Sequence, residues 1–357
     1  MATISHPLVI IGGGQSGLAA AREAQRRGVR PLVLEARERP SGSWPDYYDS
    51  LRLFSPARFS AMPDAPFPGD PDHYPSRDEV AEYLTGYADR LDVEIRTSVR
   101  VAAVQARPGG GFLVSTVAGD EIETAGIVAA TGSFDNPYLP LLSGQDHFQG
   151  RILHAADFRS PAAHAGERVV VVGGGNSAVQ IAYDLAAVAT TTIASRSPLQ
   201  LVAQQPDGRD IHHRLTAGFD DLPLEWLAPL LTSTLVLDPG KYGEALNTAV
   251  LDRRPMFTAV DADAVVWPDG SREHVDTVVL ATGYRPNLGY LEPLGALENG
   301  MPKHVGGIST THPGLAFTGL ELQRSFASNT LRGVSRDAAH VLGPLSAHVR
   351  GAYTDVA

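Results

Sequence analysis

The 357-residue chain contains no cysteine. That absence excludes disulfide scaffolds, Cys-ligated zinc, iron–sulfur clusters, thiol nucleophiles and dithiol redox relays. Long apolar runs are also missing. No stretch approaches the ~18 residues needed to span a bilayer, and the opening MATISHPLVIIGGG has no basic leader before its apolar stretch. No membrane contact is expected, and a cytoplasmic location is. Basic residues are the minority, with 29 Lys+Arg against 40 Asp+Glu and a formal charge of −11. A polyanion such as nucleic acid would be repelled, so none is expected as a partner.

What is present is the composition of a soluble globular protein, 43% hydrophobic and 19% charged. At ~100–200 residues per domain the length favours two domains. The first forty residues read as strand, glycine turn, helix, strand. Pro7 to Ile11 is apolar, Gln15 to Arg27 has helical periodicity, Gly28 can cap it, and Pro31 to Glu35 is apolar again. The pattern returns 161 positions later, with a strand at Glu167 to Val172, a helix at Val179 to Val188 and a strand at Thr191 to Ser195. Two nucleotide-type βαβ units are therefore expected in an α/β fold.

Between and after these units the pattern is less regular. Residues 42–72 hold many of the 26 prolines and several aromatics, and read as an ordered irregular loop that lines something. Ser76 and Glu79 form a capping-box pattern ahead of a helix. Residues 93–128 alternate apolar and polar in pieces split by Pro108–Gly111, which suggests an antiparallel meander. Helical stretches are expected near Trp226 and from Tyr242 to Arg253, a strand from Thr277 to Ala281, and a helix from about Gly333 to His348.

Gly12-Gly13-Gly14-Gln15-Ser16-Gly17 is a G-x-G-x-x-G at the first strand-to-helix turn. Gly12 permits the sharp turn, Gly14 lets a pyrophosphate approach the backbone, and Gly17 lets helix and strand pack closely. Glu35 follows Gly17 by eighteen residues, where a carboxylate can accept both hydroxyls of a ribose and would repel a 2′-phosphate. This site is expected to take FAD or NAD. The second cluster, Gly173-Gly174-Gly175-Asn176-Ser177-Ala178, fits the G-x-G-x-x-A variant, and its second strand ends in Ser195-Arg196-Ser197 with no acid. Arg196 is either a solvated surface arginine or the fork of donors for a 2′-phosphate, and the latter implies NADPH.

Two nucleotide folds of different preference suggest a hydride relay from reduced nicotinamide to a flavin. The chain resembles the flavin-containing monooxygenases of the two-dinucleotide-domain class in their short bacterial form. Phe148 to Phe158, FQGRILHAADF, matches that family's F-x-G-x-x-x-H-x-x-x-[FY] fingerprint, centred on His154. Asp276 to Tyr284 resembles its D-x-x-x-[LF]-A-T-G-Y element, with Ala130-Thr131-Gly132 as an earlier counterpart, and Ser41-Gly42-Ser43-Trp44 is similar to its flavin loop.

The resemblance implies two Rossmann-like three-layer domains, an FAD domain at 1–157 and 282–357 interrupted by an NADPH domain at 158–281. It implies FAD held by Gly12, Gly14, Gln15, Ser16, Gly17, Glu35, Ser43, Trp44, Val101, Thr131, Gly132, Thr282, Gly283 and Gly319. NADPH, with NADH possible, would be held by Gly173, Gly175, Asn176, Ser177, Ala178, Ser195, Arg196 and Ser197. The implied reaction passes hydride to the flavin and oxygen, through a C4a-(hydro)peroxyflavin, into a sulfide, amine or ketone. The partners are a small-molecule substrate and O₂, and the chain would be a monomer or homodimer.

One departure concerns catalysis. The flavin loop of the family often presents an asparagine where this chain has Phe54. An apolar ring there either reshapes the site, packs beneath the flavin, or shortens the life of the oxygenated flavin. The last case would favour an oxidase or reductase passing electrons to a quinone or O₂ without oxygen insertion. His154 is either a proton-transfer residue or a hinge histidine bonded to backbone. His212-His213 make a poor metal pair, because adjacent side chains diverge on helix and strand alike, and no metal is expected.

Overall fold

The computed structural model describes residues 4–227 and 235–351. Two sheets organise them. In the first, the strand β1 (Ile4–Ile11) lies between β2 (Pro31–Leu34) and β6 (Glu121–Ala129), both parallel to it, and β3 (Glu94–Arg96) extends the sheet beside β2. Both faces of this sheet are covered, and the chain alternates accordingly. Leu8 and Ile10 pack with Leu18 of the helix α1 (Gln15–Arg26), while Val9 and Ile11 pack on the opposite face with Phe112 and Leu291. All four are buried, which is why Leu8 to Ile11 read as an unbroken apolar run.

β6 forks. Its first half pairs antiparallel with β5 (Phe112–Thr116), which in turn pairs with β4 (Val101–Ala106), and its second half pairs in parallel with the strand Leu315–Phe317. The expected meander is thus β4–β5–β6, whereas Glu94–Arg96 leaves it and joins the parallel sheet. Its Ile95 packs against the core of the helical face, a long-range gain that local alternation does not encode.

The second sheet has the order Asp252–Pro255, β9 (Thr190–Ser195), β8 (Arg168–Val172), Thr277–Leu280, β7 (Arg151–His154). All four junctions are parallel. Val169 to Val172 are buried in β8, alternating between two cores, and each such side chain contributes roughly 1.5–3 kcal/mol on leaving water. The expected helix from Tyr242 to Arg253 is shorter, Lys241–Asn247, and Arg253 lies instead on the sheet's edge strand. There Leu251 is buried and the backbone pairs with β9, which outweighs helical propensity. Among the described residues, helix near Trp226 covers Leu224–Leu227.

Residues 42–72 carry only two short 3₁₀ turns, and Ser76 caps the helix α2 (Arg77–Ala88) with the reciprocal Glu79 bond of a capping box. The last helix, Val334–Val349, packs on α1 through Val334, Val341 and Leu345. Among the described residues no helix is long and apolar enough to cross a membrane.

Candidate functional site

A cleft of about 310 Å³ opens at the carboxyl ends of β1 and β2. Gly12, Gly14, Gln15, Ser16, Glu35, Ser43, Val101, Thr131, Gly132 and Gly319 line it, so most of the residues assigned to the first nucleotide converge. The turn is built to exclude side chains. Gly12 has φ of +109° and its missing Cβ would lie 2.5 Å from the Ala130 carbonyl oxygen. A Cβ on Gly17 would lie 1.8 Å from the Gly12 oxygen, and one on Gly319 would lie 2.1 Å from Ser16 Oγ. Gly14 precedes helix α1 as its N-cap, with no side chain capping the first amides, which leaves those donors and the positive end of the helix dipole for an anion.

Glu35 is 3% exposed, and its orientation is fixed by the backbone. Oε2 accepts from Gly13 N at 2.5 Å and Oε1 from Arg37 N at 2.8 Å. A carboxylate offers about four acceptor positions, so roughly two remain for ribose hydroxyls. Trp44 stands behind the cleft, its Nε1 donating to Gln15 Oε1 at 3.0 Å. Gly17 packs helix on strand and Thr282 and Gly283 lie outside the cleft wall. Arg37, Tyr47, Asn287, Tyr290 and Asn329 line it without having been foreseen. Arg37 lies two residues after Glu35 and Tyr47 lies within the loop 42–72; the other three arrive from distant chain.

The second turn repeats the first. Gly173 has φ of +152° and a Cβ there would lie 2.4 Å from the Ala281 oxygen. Helix α3 (Asn176–Leu185) follows Gly175 as its N-cap, again without a side-chain cap. Asn176 is occupied otherwise: Nδ2 donates to the Leu235 carbonyl at 3.1 Å and Oδ1 accepts from Leu237 N at 3.0 Å. Ser195 is buried and its hydroxyl is engaged, donating to the Ser197 carbonyl at 2.7 Å and accepting from Arg253 Nε at 2.9 Å. Arg253 also donates to the Ser195 carbonyl at 3.0 Å. Arg196 and Ser197 are exposed just beyond, and among the described residues no ion pair neutralises Arg196.

Residues 9–213 match the pyridine nucleotide-disulphide oxidoreductase family. A probable indole-3-pyruvate monooxygenase of Arabidopsis thaliana is 30% identical over 83% of this chain and 79% of its own. An uncharacterized oxidoreductase of Bacillus subtilis is 28% identical over 94% and 98%. A flavin-containing monooxygenase from Stenotrophomonas maltophilia superposes with a TM-score of 0.82 at 30% identity, covering 99% of this chain and 100% of that one. The chain belongs to the flavin-containing monooxygenase family. It is a flavin-dependent enzyme that also uses a nicotinamide nucleotide, and its lack of cysteine separates it from any relative that works through a dithiol.

In this monooxygenase the two connections between the sheets run side by side. Tyr138 N donates to the Gly283 carbonyl at 2.9 Å, Thr282 Oγ1 to the Tyr138 carbonyl at 2.6 Å, and Thr131 Oγ1 to the Asn287 carbonyl at 2.6 Å. His154, 2% exposed, closes this crossing. Its Nδ1 accepts from Ala156 N at 3.0 Å, so Nε2 carries the proton and donates to the Gly283 carbonyl at 3.1 Å. Burial holds its pKa below the ordinary imidazole value. Both nitrogens are spent on backbone, the geometry of a hinge histidine. Phe54 is 38% exposed, stands away from the cleft lining, and stacks on His212 at 6.2 Å.

Proposed function

We propose that the chain is an FAD-dependent, NADPH-oxidising monooxygenase that inserts one oxygen atom from O₂ into a small organic substrate, a sulfide, an amine or a ketone. The observation that carries this reading is the contrast between two otherwise equivalent turns. Beside the first stands the backbone-held carboxylate of Glu35, which suits the ribose of FAD and repels a 2′-phosphate. The second places Arg196 at the corresponding strand end with Arg253 behind it, which suits NADPH.

In the same reading the FAD domain comprises 1–157 and 282–357 and the NADPH domain 158–281. The side chains bind and orient: the uncapped first turns of α1 and α3 take the pyrophosphates, Glu35 takes a ribose, and Arg196 takes the phosphate. Bound flavin would supply the redox chemistry, accepting hydride from the nicotinamide and reacting with O₂. Around it the chain excludes water and holds geometry.

Anaerobic addition of NADPH to the purified holoenzyme should bleach the flavin. Admitting isotopically labelled O₂ with a panel of sulfides, amines and ketones should then yield a product carrying one labelled oxygen. Rapid reoxidation with hydrogen peroxide as the sole product across the panel would instead establish an oxidase.

A further inference from the structure

Away from both nucleotide turns, a polar network that runs from the surface into the interior joins residues 54–74 to the segment 204–212. Gln204 Nε2 donates to the Phe54 carbonyl at 2.9 Å, and Gln205 Nε2 to the Tyr74 hydroxyl at 3.0 Å. Tyr74 donates to Asp210 Oδ2 at 2.7 Å. Burial and the neighbouring Asp210 push the Tyr74 phenol up to about 12, so it keeps its proton and the carboxylate accepts. Asp210 is held ionised against the opposing effect of burial by bonds from His212 and Tyr74. Its Oδ1 accepts both the backbone N–H and Nδ1 of His212, each at 2.8 Å.

The network stops abruptly at the imidazole. A carboxylate can only accept, so Nδ1 carries a proton, and in the tautomer protonated only there Nε2 presents a lone pair. That nitrogen has no partner, although His212 is 0% exposed. Buried polar atoms are ordinarily paired, and an orphan at the end of a fully satisfied chain calls for something that completes it. Phe54, with its centroid at 6.2 Å and its plane at 20°, and Phe59, at 6.0 Å and 28°, both lie nearly parallel to the imidazole ring. Phe54 is the thin side of this enclosure, since it is partly exposed and only its carbonyl is tethered.

We propose that His212 is a ligand-binding residue whose Nε2, oriented by Asp210, accepts a hydrogen bond from the N–H or O–H group of a small apolar or aromatic substrate seated against Phe54 and Phe59. The inference rests on the reading of the enzyme as a monooxygenase of small organic molecules, and it names a chemical class for them: protic rather than fully alkylated. Turning the Phe54 ring aside admits the ligand while Gln204 keeps the backbone in place.

Phenol and anisole are the probes, alike in shape but differing in one O–H. Binding to the oxidised holoenzyme, without NADPH, is followed by calorimetry and by the ¹⁵N-imidazole resonances. Phenol should bind roughly two- to tenfold more tightly than anisole, the range expected for one net hydrogen bond. It should move the Nε2 resonance of His212. His212→Phe should abolish the preference and keep the flavin content. An unmoved Nε2 resonance, or the same phenol preference in His212→Phe, overturns the proposal; that is the outcome for a histidine that holds only a buried water. The resonance is read on the unaltered protein, so a misfolded variant does not cloud it. No turnover is involved, so a failure of the monooxygenase reading shows only in the labelled-oxygen experiment.

Discussion

Arg196 and Ser195 were adjacent letters of one motif, and the structure gives them different tasks. Ser195 is buried and tied to Arg253, whereas Arg196 is exposed and without a counter-ion among the described residues. A charge-assisted hydrogen bond is worth ~1.5–3 kcal/mol, so Arg196→Ala should weaken NADPH binding by ~10–150-fold. NADH binding should be nearly unchanged. Equilibrium titration of both nucleotides checks this, and equal losses would remove the assignment of the 2′-phosphate to Arg196. The arginine was legible because a strand end after a glycine turn is a fixed place in a βαβ unit. Arg253 was not, because its relation to Ser195 spans fifty-eight residues and depends on a strand that local propensity reads as helix.

At the scale of elements, β7 and the Thr282–Gly283 turn meet through His154. Because burial lowers its pKa, the folded protein binds this proton less readily than the unfolded chain. The stability it contributes is therefore complete above the unfolded value of about 6.5 and is lost as pH falls below it. His154→Gln should be less stable than the parent near neutral pH, and urea unfolding should show the gap narrowing as pH drops from about 8 to about 5. A gap that stays constant or widens would mean that the ring's protonation is not coupled to folding. The fingerprint around His154 was readable in the sequence; which of its two roles the geometry favours was not. Only the occupied Nδ1 and Nε2 separate them. The elements themselves were readable where the signal is local: both glycine turns, the Ser76 capping box and the last helix lie within a few residues of their expected places.

On the scale of the whole molecule, the chain after β9 returns to the first unit through charged anchors. Asp220 and Arg332 form a two-bond pair at 2.8 and 3.1 Å, with side chains only 4% and 9% exposed. Breaking a buried pair from one side leaves an uncompensated charge and costs about 3–5 kcal/mol. Asp220→Ala should lower the thermal unfolding temperature clearly, and the double variant Asp220→Leu/Arg332→Met should recover most of the loss. If the single variant unfolds like the parent, this pair does not hold the two regions together. Nothing in the spacing of these residues announced their pairing.

Read alone, the sequence determined the chemistry that depends on near neighbours. Periodicity, caps and glycine spacing act over one or two turns of chain, so the two nucleotide units, their order and the contrast between Glu35 and Arg196 were all present in it. The absence of cysteine likewise needs no structure. The tertiary structure alone decided which distant residues share a site. It brought Asn287, Tyr290 and Asn329 to the cleft of Gly12, and it set Asp210 and His212 against Phe54. Those meetings depend on how two sheets pack and cross, and the free energy that fixes them comes from long-range burial, which no local pattern records.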